Sequence, residues 1–327
     1  MKIAIMGAGT WGVVVASYLS KRNNEVTIYH RNSNISNQLE STNIHPNLAS
    51  ENISTTLNYS SDITACRKSD LCILAVPTHA LSVILDELND ATIKYLILSK
   101  GFDVSTGLLP TELLNKKFNI NMNNIAVLSG PNHAEEIIDE KFAATVISSC
   151  NENYAKELQF LFSSQIFRVY TSNDLLGVQI GGSIKNVIAI ASGICDGLHL
   201  GDNTQAALVS RGLNEMLELS KVYDFNLKTL YGLSGVGDLV GTCYSKHSRN
   251  RQLGTLIGEG KSLNEAKNLI NMVSEGVNTA KILHSIIIRN NLKMPICMEI
   301  YKILFKNNDP KESINKLMTR KLTKESF

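Results

Sequence analysis

The 327 residues suffice for two domains with sizeable cores, and 43% hydrophobic with 19% charged residues is a globular composition. Lys plus Arg number 32 and Asp plus Glu 30, a net charge of +2 with both signs interspersed, so neither a nucleic-acid footprint nor a membrane-surface patch is expected. Six cysteines (Cys66, Cys72, Cys150, Cys195, Cys243 and Cys297) include no Cys-x-x-Cys pair, which suggests no zinc site or disulfide framework and fits a reducing cytoplasm.

The first predicted element is a buried strand, Lys2-Ile3-Ala4-Ile5-Met6, running straight into Gly7-Ala8-Gly9-Thr10-Trp11-Gly12 and then a helix over 13–20. Strand, tight turn and helix in that order form the front half of a dinucleotide site. Gly7 permits the turn, Gly9 lets the backbone approach a pyrophosphate, and Gly12 lets the helix pack on the strand. A second strand, Val26-Thr27-Ile28-Tyr29, runs out into His30-Arg31-Asn32, with no acid to bind an adenosine ribose. Arg31 there can meet the 2′-phosphate of NADP as a charge-assisted partner; the plainer alternative is a solvated loop cation. Residues 2–19 also look like a secretory signal, but such a segment gains nothing from glycines in phosphate-loop spacing. No other stretch reads as long and apolar enough to span a bilayer.

Residues 32–61 read as mixed loop and short helix. Continuous apolar strands are predicted at 71–76, 95–99, 125–129 and 144–147, with helix over 80–88. Such runs suit a sheet covered on both faces, hence a doubly wound, mostly parallel domain over 1–172 with ligands at the carboxyl ends of its strands. Three strand ends carry chemistry: Val76-Pro77-Thr78, Ser99-Lys100-Gly101 and Ser129-Gly130-Pro131-Asn132. Lys100 offers three donors to a phosphate or carbonyl oxygen, against the alternative of an exposed loop lysine.

Beyond Thr171 the period changes to 3.6, with Ile184, Val187, Ile188 and Ala191, then Leu213, Met216 and Leu217, then Leu263, Ala266, Leu269 and Ile270. A largely all-α substrate and catalytic domain is predicted over 173–327, with the active site in the cleft between the domains. Lys185 sits inside an apolar helix, where it serves either as a general acid/base or as a snorkelling cation. Asp238 lies in a glycine-flanked turn, Leu233-Ser234-Gly235-Val236-Gly237-Asp238. Ser248-Arg249-Asn250-Arg251 suits a phosphate monoester, or else Ser248 is a helix N-cap ahead of solvated residues. Glu275-Gly276 marks a loop-to-helix junction.

Taken together, Gly7 to Gly12, Ser99-Lys100-Gly101, Ser129-Gly130-Pro131, the run from Gly182 to Asp196, Gly237-Asp238-Leu239 with Ser248-Arg249-Asn250, and Glu275-Gly276 make the whole chain resemble bacterial NAD(P)-dependent glycerol-3-phosphate dehydrogenase. The resemblance implies Lys185 as catalytic acid/base, with Asp238 orienting it or binding a substrate hydroxyl. It implies Lys100, Gly130, Asn132, Lys185, Asp238, Ser248, Arg249 and Asn250 around the substrate, dihydroxyacetone phosphate or sn-glycerol 3-phosphate. For the cofactor it implies Gly7, Gly9, Thr10, Trp11, Gly12, His30 or Arg31, Lys100, Ala134, Arg249, Val273 and Glu275. NADP(H) is implied, with NAD(H) left open and no metal; a homodimer is compatible, and a role in glycerophospholipid precursor synthesis is the usual one. Asn132, His133 and Ser183 depart from the family's more frequent residues, which puts the Asn132 contact in question. Two alternatives stand beside this reading: an NADP-dependent reductase of another hydroxy acid, such as 6-phosphogluconate or ketopantoate, and a non-enzymatic NADP(H) sensor.

Overall fold

The architecture is that of a computed structural model, which describes residues 1–48, 53–270, 274–322, 324 and 325. The chain divides into two compact units, Met1–Val178 and Gln179–Phe327. In the first, β1 (Lys2–Met6), α1 (Thr10–Ser20), β2 (Glu25–Tyr29), α2 (Ser33–Thr42), β3 (Asn58–Ser60), β4 (Leu71–Leu74), α3 (Leu81–Leu88) and β5 (Lys94–Ile97) come first. They are followed by α4 (Pro110–Phe118), β6 (Ile125–Ser129), α5 (Ala134–Ile138), β7 (Ala143–Ser149), α6 (Glu152–Phe162) and β8 (Phe167–Ser172). One eight-stranded sheet results, in the order β3-β2-β1-β4-β5-β6-β7-β8. All neighbours pair parallel except β6 and β7, which run antiparallel.

Continuous apolar runs form these strands because both faces are buried. Ile3 and Ile5 point into one core with Ile73, Leu96 and Leu128, while Ala4 and Met6 point into the other with Cys72, Leu74, Tyr95 and Val127. Two strands escape the sequence reading. β3 is three polar-flanked residues at one edge, and β8 alternates buried Phe167 and Val169 with exposed Arg168 and Tyr170 at the other. The runs predicted to Val76 and Ser99 end earlier, at Leu74 and Ile97, and their last residues form the loops at the carboxyl edge. The order reverses between β1 and β4, which puts Gly7 beside Ala75 at the switch point where open α/β sheets bind ligands.

The second unit is helical: α7 (Leu175–Gly197, its first turn still in the first unit), α8 (Asp202–Glu218), α9 (Asp238–Tyr244), α10 (Arg249–Gly258), α11 (Leu263–Ile270), α12 (Glu275–Asn290), α13 (Pro295–Lys306) and α14 (Pro310–Met318). α7 corrects one expectation. At 23 residues, with an 18-residue stretch of mean hydropathy 1.3, it is long and apolar enough to cross a bilayer, but 94% of that stretch is buried inside protein. Its apolar residues face every direction because it is buried on all sides, as the central helix of a helical core is, and the polar ones among them are buried too. The periodic residues at 213–217 and 263–270 do lie on α8 and α11, although Leu269 is exposed.

Candidate active site

The loop after β1 closes tightly. Gly7 has φ +113°, its N–H donates to Tyr29 O at 3.0 Å, and a Cβ there would lie 2.8 Å from Ala75 O. A Cβ at Gly12 would fall 2.0 Å from Gly7 O, so α1 could not approach the loop with any side chain at that position. The first intrahelical bond of α1 is Val13 N–H to Gly9 O at 3.0 Å. Those of Thr10, Trp11 and Gly12 therefore have no acceptor within the helix. Thr10 is buried and Trp11 half-buried against the core. At the end of β2, Arg31 is exposed, and the Asn32 N–H donates to His30 Nδ1 at 3.1 Å. The Asn32 side chain caps α2 by accepting from Asn34 N–H at 2.9 Å.

At the ends of β5 and β6 the structure gathers Lys100, Gly130 and Asn132. Lys100 Nζ donates to Gly130 O at 3.3 Å and to Asn132 Oδ1 at 3.4 Å. Thr145 on β7, not singled out in the sequence, props this corner: it donates to Ser129 O at 2.9 Å and accepts from Asn132 Nδ2 at 3.5 Å. Asn132 thus orients the lysine. Ala134 opens α5 and is buried.

In the second unit Lys185 does not snorkel. Its side chain is 8% exposed and its ammonium is paired with the Asp238 carboxylate, 3% exposed. Lys185 Nζ also donates to Thr242 Oγ1 at 2.8 Å, and Thr242 Oγ1 lies 3.4 Å from Asp238 Oδ1. Asp238 was expected in a turn, but it starts α9. Leu233–Gly237 before it form a single π-helical turn, with the Gly237 N–H reaching Gly232 O at 3.1 Å. The glycines allow this wide turn, a device frequent at functional sites. Asp238 and Thr242 are then one helical turn apart and face the same way, a spacing from which Thr242 could have been read. Next to it, burial pushes the Cys243 thiol up to about 12 against the pull of the Lys185 charge, so it is not a nucleophile.

Ser248 is the N-cap of α10, its Oγ accepting from Arg251 N–H at 3.2 Å, with half-buried Arg249 and buried Asn250 in the first turn. α10 crosses α7 at backbone contact: a Cβ on Gly254 would lie 2.0 Å from Ile190 O. The crossing brings Asn250 onto Asn186, whose Oδ1 accepts from Asn250 Nδ2 at 3.0 Å. Asn250 Oδ1 in turn accepts from the Gly276 N–H at 3.0 Å, next to Glu275 at the start of α12. Arg251 pairs with Asp196 of α7. Asn186, next to Lys185 on α7 and passed over in the sequence, thus joins α7 to Asn250 and through it to the start of α12. Val273 lies outside the described residues.

The N-terminal model for NAD-dependent glycerol-3-phosphate dehydrogenase matches residues 2–155 and the C-terminal model residues 174–315. This chain belongs to the glycerol-3-phosphate dehydrogenase family. A glycerol-3-phosphate dehydrogenase (NAD(P)+) of a Thermoanaerobacter species is 40% identical over 324 residues, covering 98% of this chain and 97% of that one. One from Clostridium botulinum is 38% identical over 336 residues, 100% and 99% of the two chains. The crystal structure of the Coxiella burnetii glycerol-3-phosphate dehydrogenase superposes with TM-score 0.90 at 32% identity, over 98% of this chain and 99% of that one. The resemblance read from six short motifs therefore holds over both halves, and the chain is an oxidoreductase that uses a nicotinamide cofactor.

Proposed function

We propose that this dehydrogenase interconverts dihydroxyacetone phosphate and sn-glycerol 3-phosphate with NADPH as the favoured reductant, supplying glycerophospholipid synthesis. The observation that carries the mechanism is the buried Lys185–Asp238–Thr242 triangle, tied through Asn186 to the Ser248-Arg249-Asn250 turn.

The residues at the β1–α1 loop fit a dinucleotide. Three first-turn N–H groups lack intrahelical acceptors, and a Cβ on Gly9 would meet nothing within 4 Å, so protein packing does not demand glycine there. Arg31, exposed and with no carboxylate beside it in the chain, suits the extra phosphate of NADPH. When bound, the cofactor supplies a hydride to the substrate carbonyl carbon. Everything else falls to the protein. Negative charge develops on the carbonyl oxygen, and the Lys185 ammonium donates a proton to it. Asp238 holds that ammonium charged and aimed before the transfer, and Thr242 fixes its direction. Arg249 and the N-terminus of α10 hold the substrate phosphate, which keeps the carbonyl against Lys185. Lys100, steadied by Gly130 O and Asn132, keeps a cation at the carboxyl end of the sheet, where it suits a phosphate or carbonyl oxygen.

The test is loss of reduced-nicotinamide absorbance on adding dihydroxyacetone phosphate, in parallel with NADPH and NADH. Rapid oxidation with NADPH preferred is the expected result. No oxidation by folded protein that still binds NADPH would discard the substrate, and equal rates would discard the role of Arg31.

A further inference from the structure

His45 belongs to no motif and lies 37 residues from the nucleotide loop in sequence, yet it is only 5% exposed and sits beneath that loop. Its Nδ1 is 3.2 Å from the Asn47 N–H and its Nε2 is 3.2 Å from Ala8 O. A backbone amide can only donate and a carbonyl can only accept. The two partners therefore fix the neutral ring with its hydrogen on Nε2, donated to Ala8.

Ala8 stands between Gly7 and Gly9, so its peptide groups have the least stereochemical restraint of any in the loop. In a trans peptide the Ala8 carbonyl and the Gly9 N–H point in opposite directions, and the chain has no cis bond among the described residues. Holding the carbonyl on the imidazole turns the Gly9 N–H the other way and fixes the entry to α1. We propose that His45 is a positioning residue for cofactor binding, a buried hydrogen-bond donor that holds the Gly7-Ala8-Gly9 backbone in the conformation that receives the pyrophosphate. The inference rests on that loop being the dinucleotide site.

The test compares the wild-type enzyme with His45→Gln and His45→Met, two unbranched side chains of similar size of which only the first keeps an N–H donor. NADPH dissociation constants are measured by the fluorescence of the bound cofactor, alongside thermal midpoints without ligand and steady-state kinetics. Both variants lose the ring's packing and melt lower, His45→Met the lower of the two because it also loses the bond to Ala8 O. His45→Met binds NADPH roughly fivefold more weakly than His45→Gln, the weight of one neutral hydrogen bond. Turnover at saturating NADPH and the KM for dihydroxyacetone phosphate stay within twofold. Equal NADPH affinity in the two variants would overturn the proposal and leave His45 a packing residue. A wild-type enzyme that binds neither NADPH nor NADH would instead sink the assignment of the loop itself.

Discussion

Replacing Lys185 with Met tests the buried pair and the chemistry together. The Asp238 side chain is 3% exposed, so this substitution takes the paired cation away from a buried carboxylate, which keeps the Thr242 hydroxyl 3.4 Å from its Oδ1. Breaking a buried pair from one side typically costs about 3–5 kcal/mol. For a unit of this size each kcal/mol moves the melting temperature by roughly 2–4 °C, so Lys185→Met should melt on the order of 10 °C lower. Lys185→Met/Asp238→Asn removes both charges with little change of shape and should recover most of that loss. Both proteins should lose at least ~10² in kcat, because neither has the proton donor. The assays are calorimetric melting of the three proteins and NADPH oxidation with dihydroxyacetone phosphate, with NADPH binding as a check on the nucleotide loop. A single variant as stable as the wild type would show that Asp238 does not depend on Lys185 for its charge. A loss of turnover below tenfold would show that Lys185 is not the acid.

Arg249→Ala should raise the KM for dihydroxyacetone phosphate at least ~30-fold, since a charge-assisted contact to phosphate is lost; an unchanged KM in initial-rate assays would remove Arg249 from the clamp. Arg31→Asp should weaken NADPH binding by at least ~10-fold and leave or improve NADH, as judged by titration of both cofactors. Glu215 on α8 gives a pH effect on stability. Burial pushes its carboxyl up to about 7 from an ordinary 4.5, even though its oxygens accept from Ile296 N–H at 2.5 Å and Cys297 N–H at 3.0 Å at the start of α13 and the Arg320 charge pulls the other way. The folded state therefore holds this proton more tightly than the unfolded chain. The resulting stabilisation is complete below pH 4.5 and is lost as pH rises through about 7, a change of about 3 kcal/mol. Glu215→Gln, which copies the protonated acid, should flatten that part of the melting-temperature profile; an unaltered slope between pH 5 and 8 would contradict it.

The parts legible in the sequence are those whose cause is local. Gly7 to Gly12 announces itself because turn, close approach and helix packing each demand a glycine within six residues. The apolar runs of β1, β4, β5 and β6 show a sheet covered on both faces, and the 3.6 period beyond Thr171 shows helices, because periodicity follows from backbone geometry alone. Ser248 reads as a cap from its type and place, and it is one. Edge strands β3 and β8 did not read, since a strand paired on one side needs no continuous apolar run. Neither did the antiparallel turn of β7, because a run of apolar residues has no direction.

The reason for a lysine inside α7 is not in α7. Its carboxylate stands 53 residues further on, its hydroxyl partner 57, and both reach it only because a π-helical turn aims α9 at the middle of α7. Asn250 likewise meets Asn186 across 64 residues, and His45 meets Ala8 across 37. The sequence alone determined most of the elements, the glycine loop after β1 and the family. Tertiary structure decided which buried polar groups satisfy one another, since a polar side chain taken out of water must find its partner in space, wherever the chain happens to supply it.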